Sequence, residues 1–291
     1  MAHAVLTQRA IRAATHVAHD RGLAFADEPE VLHEGSNVLI HLHPAPVVAR
    51  VATTTAMVRS GDAWLTREVA VAAHAAAAGA PVVSPTSEMP PGPHHFSGLT
   101  MTFWTYVRQS PDPPDPQRAG HALRETHEAL RDFPDPLPRM AVMRETEEII
   151  ERFAAEGTLD HQDAARLRSA AADARERVDA LDLPVQTVHA DAHLGNVINT
   201  AAGPLWGDFE DTCIAPVAWD LACLVTSGIA FGADPEPGRR ALAAYGQELD
   251  DAFVAARRLQ GTVWSLVFAR DHEDARDLSE RLLDWYRARW A

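Results

Sequence analysis

Val188-His189-Ala190-Asp191-Ala192-His193-Leu194-Gly195-Asn196-Val197-Ile198 sets two histidines, an aspartate and an asparagine between apolar β-formers. Val185 and Val188 lead into the polar residues, and Val197 and Ile198 follow them, which reads as strand, loop, strand. Further on, Leu205-Trp206-Gly207-Asp208-Phe209-Glu210-Asp211 reads as a second short strand ending in three carboxylates. Asp and Asn are also ordinary turn residues, so either piece alone is equally a plain loop between strands. Their coincidence, each at a strand end, sets them apart.

Phosphoryl transfer needs a carboxylate to orient an attacking hydroxyl and accept its proton. It also needs oxygen ligands that hold Mg²⁺ against phosphates. Asp191, Asn196 and Asp208 supply those groups, as Asp-x-x-x-x-Asn followed by Asp-Phe. A metallohydrolase is the rival chemistry: His189, Asp191 and His193 alternate, so on an extended strand they would share one face as ligands. That reading gives no role to Gly195-Asn196 or to the acidic loop.

His-x-Asp-x-x-x-x-Asn, then Asp-Phe-x-Asp, then Pro216-Val217-Ala218-Trp219-Asp220-Leu221-Ala222 resembles the aminoglycoside phosphotransferase and choline kinase superfamily. The resemblance implies an α+β, protein-kinase-like fold, with a small antiparallel-sheet N-lobe and a mainly helical C-lobe. It implies ATP and Mg²⁺ as cofactors and a hydroxylated small molecule as acceptor, an aminoglycoside or amino sugar among the candidates. Asp191 then acts on the acceptor hydroxyl, with His189 bracing the loop and His193 facing the cleft. Asn196 and Asp208 hold metal, Glu210 touches a second metal or the acceptor, and Asp220 braces the catalytic loop. The chain departs from the family pattern twice. His189-Ala190-Asp191 stands where His-Gly-Asp is usual, and the nucleotide-binding lysine is missing.

The N-terminal part reads as a helix over residues 4–20 and then three strands, 31–34, 38–42 and 47–52. Gly35, Ser36 and Asn37 form the first turn, a plain hairpin turn by itself and a phosphate cover by resemblance. Arg50 occupies the lysine's place on the third strand, and Glu68, on the helix around residues 66–74, is its natural partner. The chain contains no lysine at all, so Arg50 either does the lysine's work or leaves a nucleotide-binding or antibiotic-binding pseudokinase. Pro81–Pro85 reads as a short strand, 86–98 as a loop, and 99–107 as a strand running into a hinge. By resemblance the backbone of residues 101–106, Met101 and Phe103 among them, meets the adenine, while the Phe103 and Trp104 side chains by themselves read as core packing.

The Pro-rich run 111–116 is the clearest linker, so the expected lobes are 1–108 and 109–291. Helices are expected at 117–131, 143–156, 161–181, 215–229, 235–249, 251–269 and 273–290. His127 reads as a packing histidine, and the charges of the second and third of these helices as solvated faces with i,i+4 pairs.

Composition is that of an ordinary globular chain, 46% hydrophobic and 23% charged over 291 residues. A net charge of −15 argues against nucleic acid as a partner. No apolar run approaches the ~20 residues that span a bilayer, and no signal-peptide core is visible, so a cytoplasmic location is expected. Cys213 and Cys223 read as packed thiols. The oligomeric state is left open. Asp271-His272-Glu273-Asp274, with Asp277, Glu280 and Asp284 beyond, suggests an acidic cleft and a cationic acceptor, although the last carboxylates also recur as a solvated helix face would.

Overall fold

A computed structural model describes residues 2–26, 28–230, 232–270 and 273–290. Helix α1 (Ala2–Asp20) precedes strands β1 (Glu30–Glu34), β2 (Asn37–His41) and β3 (Val47–Ala52). Helices α2 (Thr54–Val58) and α3 (Ala63–Ala77) lead to β4 (His94–Phe96) and β5 (Leu99–Thr105). The strands form one antiparallel sheet in the order β1-β2-β3-β5-β4. Side chains alternate across a strand, and along β2, β3 and β5 both faces are largely buried, whereas β1 is mostly exposed. Ile40, Ala49, Val51, Met101 and Phe103 pack against Ala10, Ala14 and Val17 of α1. Leu39, Arg50, Val48 and Trp104 occupy the opposite face, with Leu39 opposite Arg50 and Val48 opposite Trp104 in register.

Three local expectations change. Pro81–Pro85 makes only isolated bridges, Val82 to Trp206 and Pro85 to Trp104. Prolines at both ends lack the N–H that a ladder requires. The loop 86–98 contains β4, too short for a periodic signal. α2 was not expected: its start is fixed at long range, where Thr53 Oγ1 and the Thr54 and Thr55 N–H groups all donate to Ser36 O.

The C-terminal part runs α4 (Pro116–Leu130), α5 (Ala141–Glu156) and α6 (His161–Ala180), then β6 (Gln186–Val188), β7 (Val197–Asn199), β8 (Pro204–Trp206) and β9 (Cys213–Ala215). It closes with α7 (Ala218–Ala230), α8 (Glu236–Tyr245), α9 (Asp251–Phe268) and α10 (Glu273–Arg287). β6 pairs with β9 and β7 with β8, two short ribbons that frame the loop containing Asp191. The helix expected from residue 215 starts at Ala218, because Cys213–Ala215 is drawn into the ladder with β6. The charges of α5 and α6 do more than face solvent: Arg168 pairs with Glu151 and Arg175 with Glu147 across the two helices. Cys213 and Cys223 are free and buried, and burial pushes the Cys213 thiol up to about 12. Among the described residues no helix is long and apolar enough to cross a membrane.

Candidate active site

The loop after β6 is pinned from behind. Asp220, in the first turn of α7 and fully buried, accepts from His189 N at 2.9 Å and Ala190 N at 2.7 Å. Its Oδ2 also accepts from His127 Nε2 at 2.8 Å, and His127 Nδ1 meets the Tyr245 hydroxyl at 2.9 Å. A buried carboxylate needs such partners. His127 is thus a packing histidine that orients the brace. Trp219 Nε1 holds the carbonyl of Ala190, donating to Ala190 O at 2.9 Å. His189 Nε2 donates to Gly207 O at 2.8 Å, tying this loop to the one bearing Asp208.

These bonds hold Ala190 at φ +69°, a left-handed conformation that favours glycine. Alanine tolerates the position at a cost that a β-branched residue would greatly increase. Ala190→Val is therefore expected to destabilise the fold by about 2 kcal/mol or more, while Ala190→Gly stays within about 1 kcal/mol of the parent. Denaturant unfolding of the two variants checks this; equal, small effects would mean the loop is not so constrained.

Asp191 projects from the pinned loop with three neighbours. Arg257 Nη2 of α9 donates to its Oδ1. His193 Nε2 lies 3.5 Å from Oδ2, while its Nδ1 accepts from Gly195 N–H at 3.0 Å. Asn196 Nδ2 donates to Asp191 O at 2.9 Å and Oδ2 at 3.2 Å, which leaves the amide oxygen as the acceptor end of Asn196. Burial pushes the Asp191 carboxyl up, but Arg257 and then His193 pull it further down, well below the usual carboxylate range. The group therefore stays ionised, and the stability it contributes is present above the unfolded carboxylate value of about 4 and lost as pH falls below it. Replacing Arg257 by Gln removes the largest downward pull. The acid limb of the pH–rate profile is expected to move to higher pH, by about one unit or more. An unmoved limb would show that Arg257 does not set the charge of Asp191.

Arg50 and Glu68 form the expected ion pair, with Nη1 2.9 Å from both Glu68 oxygens. The other arm of the fork does more than a lysine could while keeping that pair. Arg50 Nη2 lies 2.6 Å from Asp208 Oδ1 and 2.5 Å from Glu210 Oε2. Glu210 also accepts from Asn37 Nδ2 and Thr55 Oγ1, both at 3.2 Å. Two carboxylate oxygens converging on one nitrogen show that Asp208 and Glu210 can share a single cation. Hard oxygen donors of that kind, with the Asn196 amide oxygen nearby in the loop, fit Mg²⁺, which uses one or two carboxylates and completes its shell with phosphate and water. The local electrostatics point the same way. Asp208 is pushed above the usual carboxylate range by burial first, and then by Glu210 and Asp191, with Arg50 offsetting only part. Asp211 is pushed up to about 7, again by burial and by neighbouring carboxylates against the pull of Arg59.

Arg59 and Arg257 were not singled out from the sequence. Arg59 makes a two-armed pair with Glu145 at 2.7 Å and 2.8 Å, and also holds Asp211 and the Glu210 carbonyl. No local pattern announces it. Arg257 left a faint signal: it falls between Phe253 and Gly261 on the buried stripe of α9.

A cavity of about 830 Å³ joins these groups. On the sheet side its walls include Ser36, Asn37, Leu39, Val48, Arg50 and Glu68, and along the hinge Trp104 to Val107. Gly35 lies behind the turn, where a Cβ would come within 2.5 Å of the His33 ring. Met101 and Phe103 do not reach the cavity. They sit fully buried on the α1 side of the sheet, since the cavity takes the opposite parity of β5. On the far side the cavity is walled by Arg257, Gln260, Trp264 and Phe268 of α9, with Ala275 and Leu278 of α10. Asp277, Glu280 and Asp284 are exposed instead, the last two pairing with Arg287 at 3.1 Å and 2.8 Å. Asp271 and His272, with the side chains of Glu273 and Asp274, lie outside the described residues. The acidic-cleft expectation thus loses three of its carboxylates to the solvated face of α10.

The metallohydrolase arrangement is not formed. β6 ends at Val188, so His189, Asp191 and His193 do not share a strand face, and the His189 ring is buried against Gly207. Among the described residues no group of three His, Cys, Asp or Glu side chains is placed to hold a metal ion.

A five-stranded antiparallel sheet joined to a helical part, with a cation–carboxylate pair from the sheet side meeting a His-x-Asp loop and an Asp-Phe loop, is the architecture of a small-molecule kinase. Residues 34–261 match the phosphotransferase enzyme family, APH, and the chain belongs to that family. No curated protein is a significant match in sequence. Solved structures agree on the fold. A choline/ethanolamine kinase family protein from Mesorhizobium loti superposes with a TM-score of 0.62 at 20% identity, over 94% of each chain. Amicoumacin kinase hAmiN, in complex with AMP-PNP, Ca²⁺ and Ami, gives a TM-score of 0.70 at 13% identity, over 94% of this chain and 92% of that one. The GDP and kanamycin complex of APH(2")-IIia gives 0.61 at 17% identity, over 94% and 98%.

Proposed function

We propose that the protein is an ATP-dependent O-phosphotransferase that phosphorylates a hydroxyl of a small molecule in the cytoplasm, with residues 1–108 as nucleotide lobe and 109–291 as catalytic and acceptor lobe. The observation that carries this is the convergence of Arg50, Asp208 and Glu210 at 2.6 Å and 2.5 Å in the cavity that Asp191 also lines. Bound Mg²⁺ supplies neutralisation of the charge that develops on the transferring phosphoryl group. Asp208, Glu210 and the Asn196 oxygen are the groups that would hold it. Arg50, kept in place by Glu68, presents a guanidinium arm to the phosphates. Ser36 and Asn37 cover them, and the Trp104–Val107 hinge receives the base. Asp191, ionised and aimed by Arg257 and Asn196, orients the acceptor hydroxyl and takes its proton.

An aminoglycoside or amino sugar is the acceptor class to test first, since a structural neighbour holds kanamycin beside GDP. The described α9 wall of the cavity mixes Arg257, Gln260 and Ser265 with the rings of Trp264 and Phe268, which equally suits a neutral or flat-bodied alcohol. A panel of aminoglycosides, amino sugars, neutral sugars and aromatic alcohols, assayed for Mg²⁺-dependent ATP consumption, tests the reading. The expected result is acceptor-dependent turnover with at least one class. Tight MgATP binding with no turnover on any member would favour the pseudokinase reading that Arg50 raises.

A further inference from the structure

A second cavity, of about 400 Å³, lies between the α2–α3 connection, the first turns of α3 and α5. It shares no lining residue with the cleft. Its charged wall consists of Arg59, Arg67, Glu145, Glu148 and Arg152. Arg59 and Glu145 satisfy each other in their two-armed pair. Arg67 and Arg152 are different. Each is half-buried, each has an Nε sealed from solvent without an acceptor, and among the described residues neither makes an ion pair. The polar contact of Arg152 is a long one, Nη1 to Val58 O at 3.5 Å. Arg67 is held below its ordinary value, by burial first and by the Arg59 charge next. In a chain of net charge −15, two guanidinium groups line one cavity with no carboxylate in ion-pair contact, although Glu145 and Asp211 act on Arg67 from further off. Glu148 is the one remaining carboxylate on that wall, and it is exposed.

We propose that this cavity binds a small phosphate-bearing anion that bridges Arg67 of α3 and Arg152 of α5. Guanidinium forks match the geometry of phosphate oxygens, and a partly buried pair of them gains most from a doubly charged ligand. The position gives the site a consequence. Arg67 is the neighbour of Glu68, which aims Arg50 at Asp208 and Glu210. An anion that ties α3 to α5 fixes the helix carrying that pair, so the site links phosphate supply to the order of the nucleotide lobe.

Calorimetry on the full chain in the presence of a chelator, where the carboxylate floor of the cleft does not attract phosphate, tests this with inorganic phosphate and with glycerol 3-phosphate. The expected result is saturable binding of one equivalent. Arg67→Gln and Arg152→Gln should each weaken it about tenfold or more. Glu148→Gln should tighten it, a gain that general loss of structure does not produce. Stronger binding of the ester identifies esterified phosphate as the source, and stronger binding of the free ion identifies inorganic phosphate. Absence of saturable binding by either, or binding that survives substitution of both arginines in protein whose circular dichroism is unchanged, overturns the proposal.

Discussion

Asp191→Asn is expected to lower kcat by about 10²–10⁴-fold while the protein stays folded and still binds nucleotide. The amide is chosen over alanine because Arg257 donates to the Asp191 carboxylate and is itself only 8% exposed. Alanine would leave that buried guanidinium with only the neutral Gln260 oxygen as a side-chain partner, and an uncompensated buried charge costs up to about 3–5 kcal/mol in stability, which would confuse loss of fold with loss of chemistry. Asparagine keeps an oxygen for Arg257 but cannot accept the acceptor's proton. Turnover and nucleotide affinity are measured on the same preparation. Retention of more than a few per cent of wild-type kcat would remove Asp191 from the proton-transfer role.

Asp208→Asn should weaken Mg²⁺-dependent nucleotide binding about tenfold or more, and more than Asn196→Ala does. Asp208 sits at φ +63°, and Asn is among the few residues besides Gly that accept the left-handed region, so the backbone survives the exchange. What is lost is one negative charge at a point where Asp208 and Glu210 converge on one cation. A hard divalent ion needs that charge. Without metal the order should reverse, because the variant repels triphosphate less than the parent does. Calorimetry with and without Mg²⁺ reads both effects. Equal affinities of parent and variant for MgATP would contradict the metal assignment.

The grouping of the proposed catalytic residues was legible because they are local in the chain. His189, Asp191 and Asn196 lie on one short turn, and Asp208 follows at the next strand end, so spacing alone relates them. The Arg50–Glu68 pair was legible for a related reason, since β3 and α3 are neighbours in the chain. Arg257 and Arg59 were not, because each meets its carboxylates only after distant elements pack: Arg257 reaches Asp191 from α9, and Arg59 joins Glu145 of α5 to Asp211. Met101 and Phe103 place their side chains in the core, as the sequence reading of Phe103 allowed, and pattern alone does not say which residues of β5 line the cavity. β5 is buried on both faces, so its alternation separates two sets of residues without saying which set faces the cavity. The acidic residues of α10 misled through composition, since charge count does not reveal which helix face is turned to solvent. The prolines around residues 81–85 carried a usable warning, because a strand flanked by missing donors has little ladder to form.

The proposed activity is transfer of a phosphoryl group from ATP to a hydroxyl held at Asp191. Phosphorus NMR of a reaction containing ATP, Mg²⁺ and the best acceptor of the panel reads this directly. A phosphate monoester resonance on the acceptor is expected to grow as ADP forms, and to be missing with Asp191→Asn. Inorganic phosphate as the only product, formed at the same rate with or without acceptor, would contradict it.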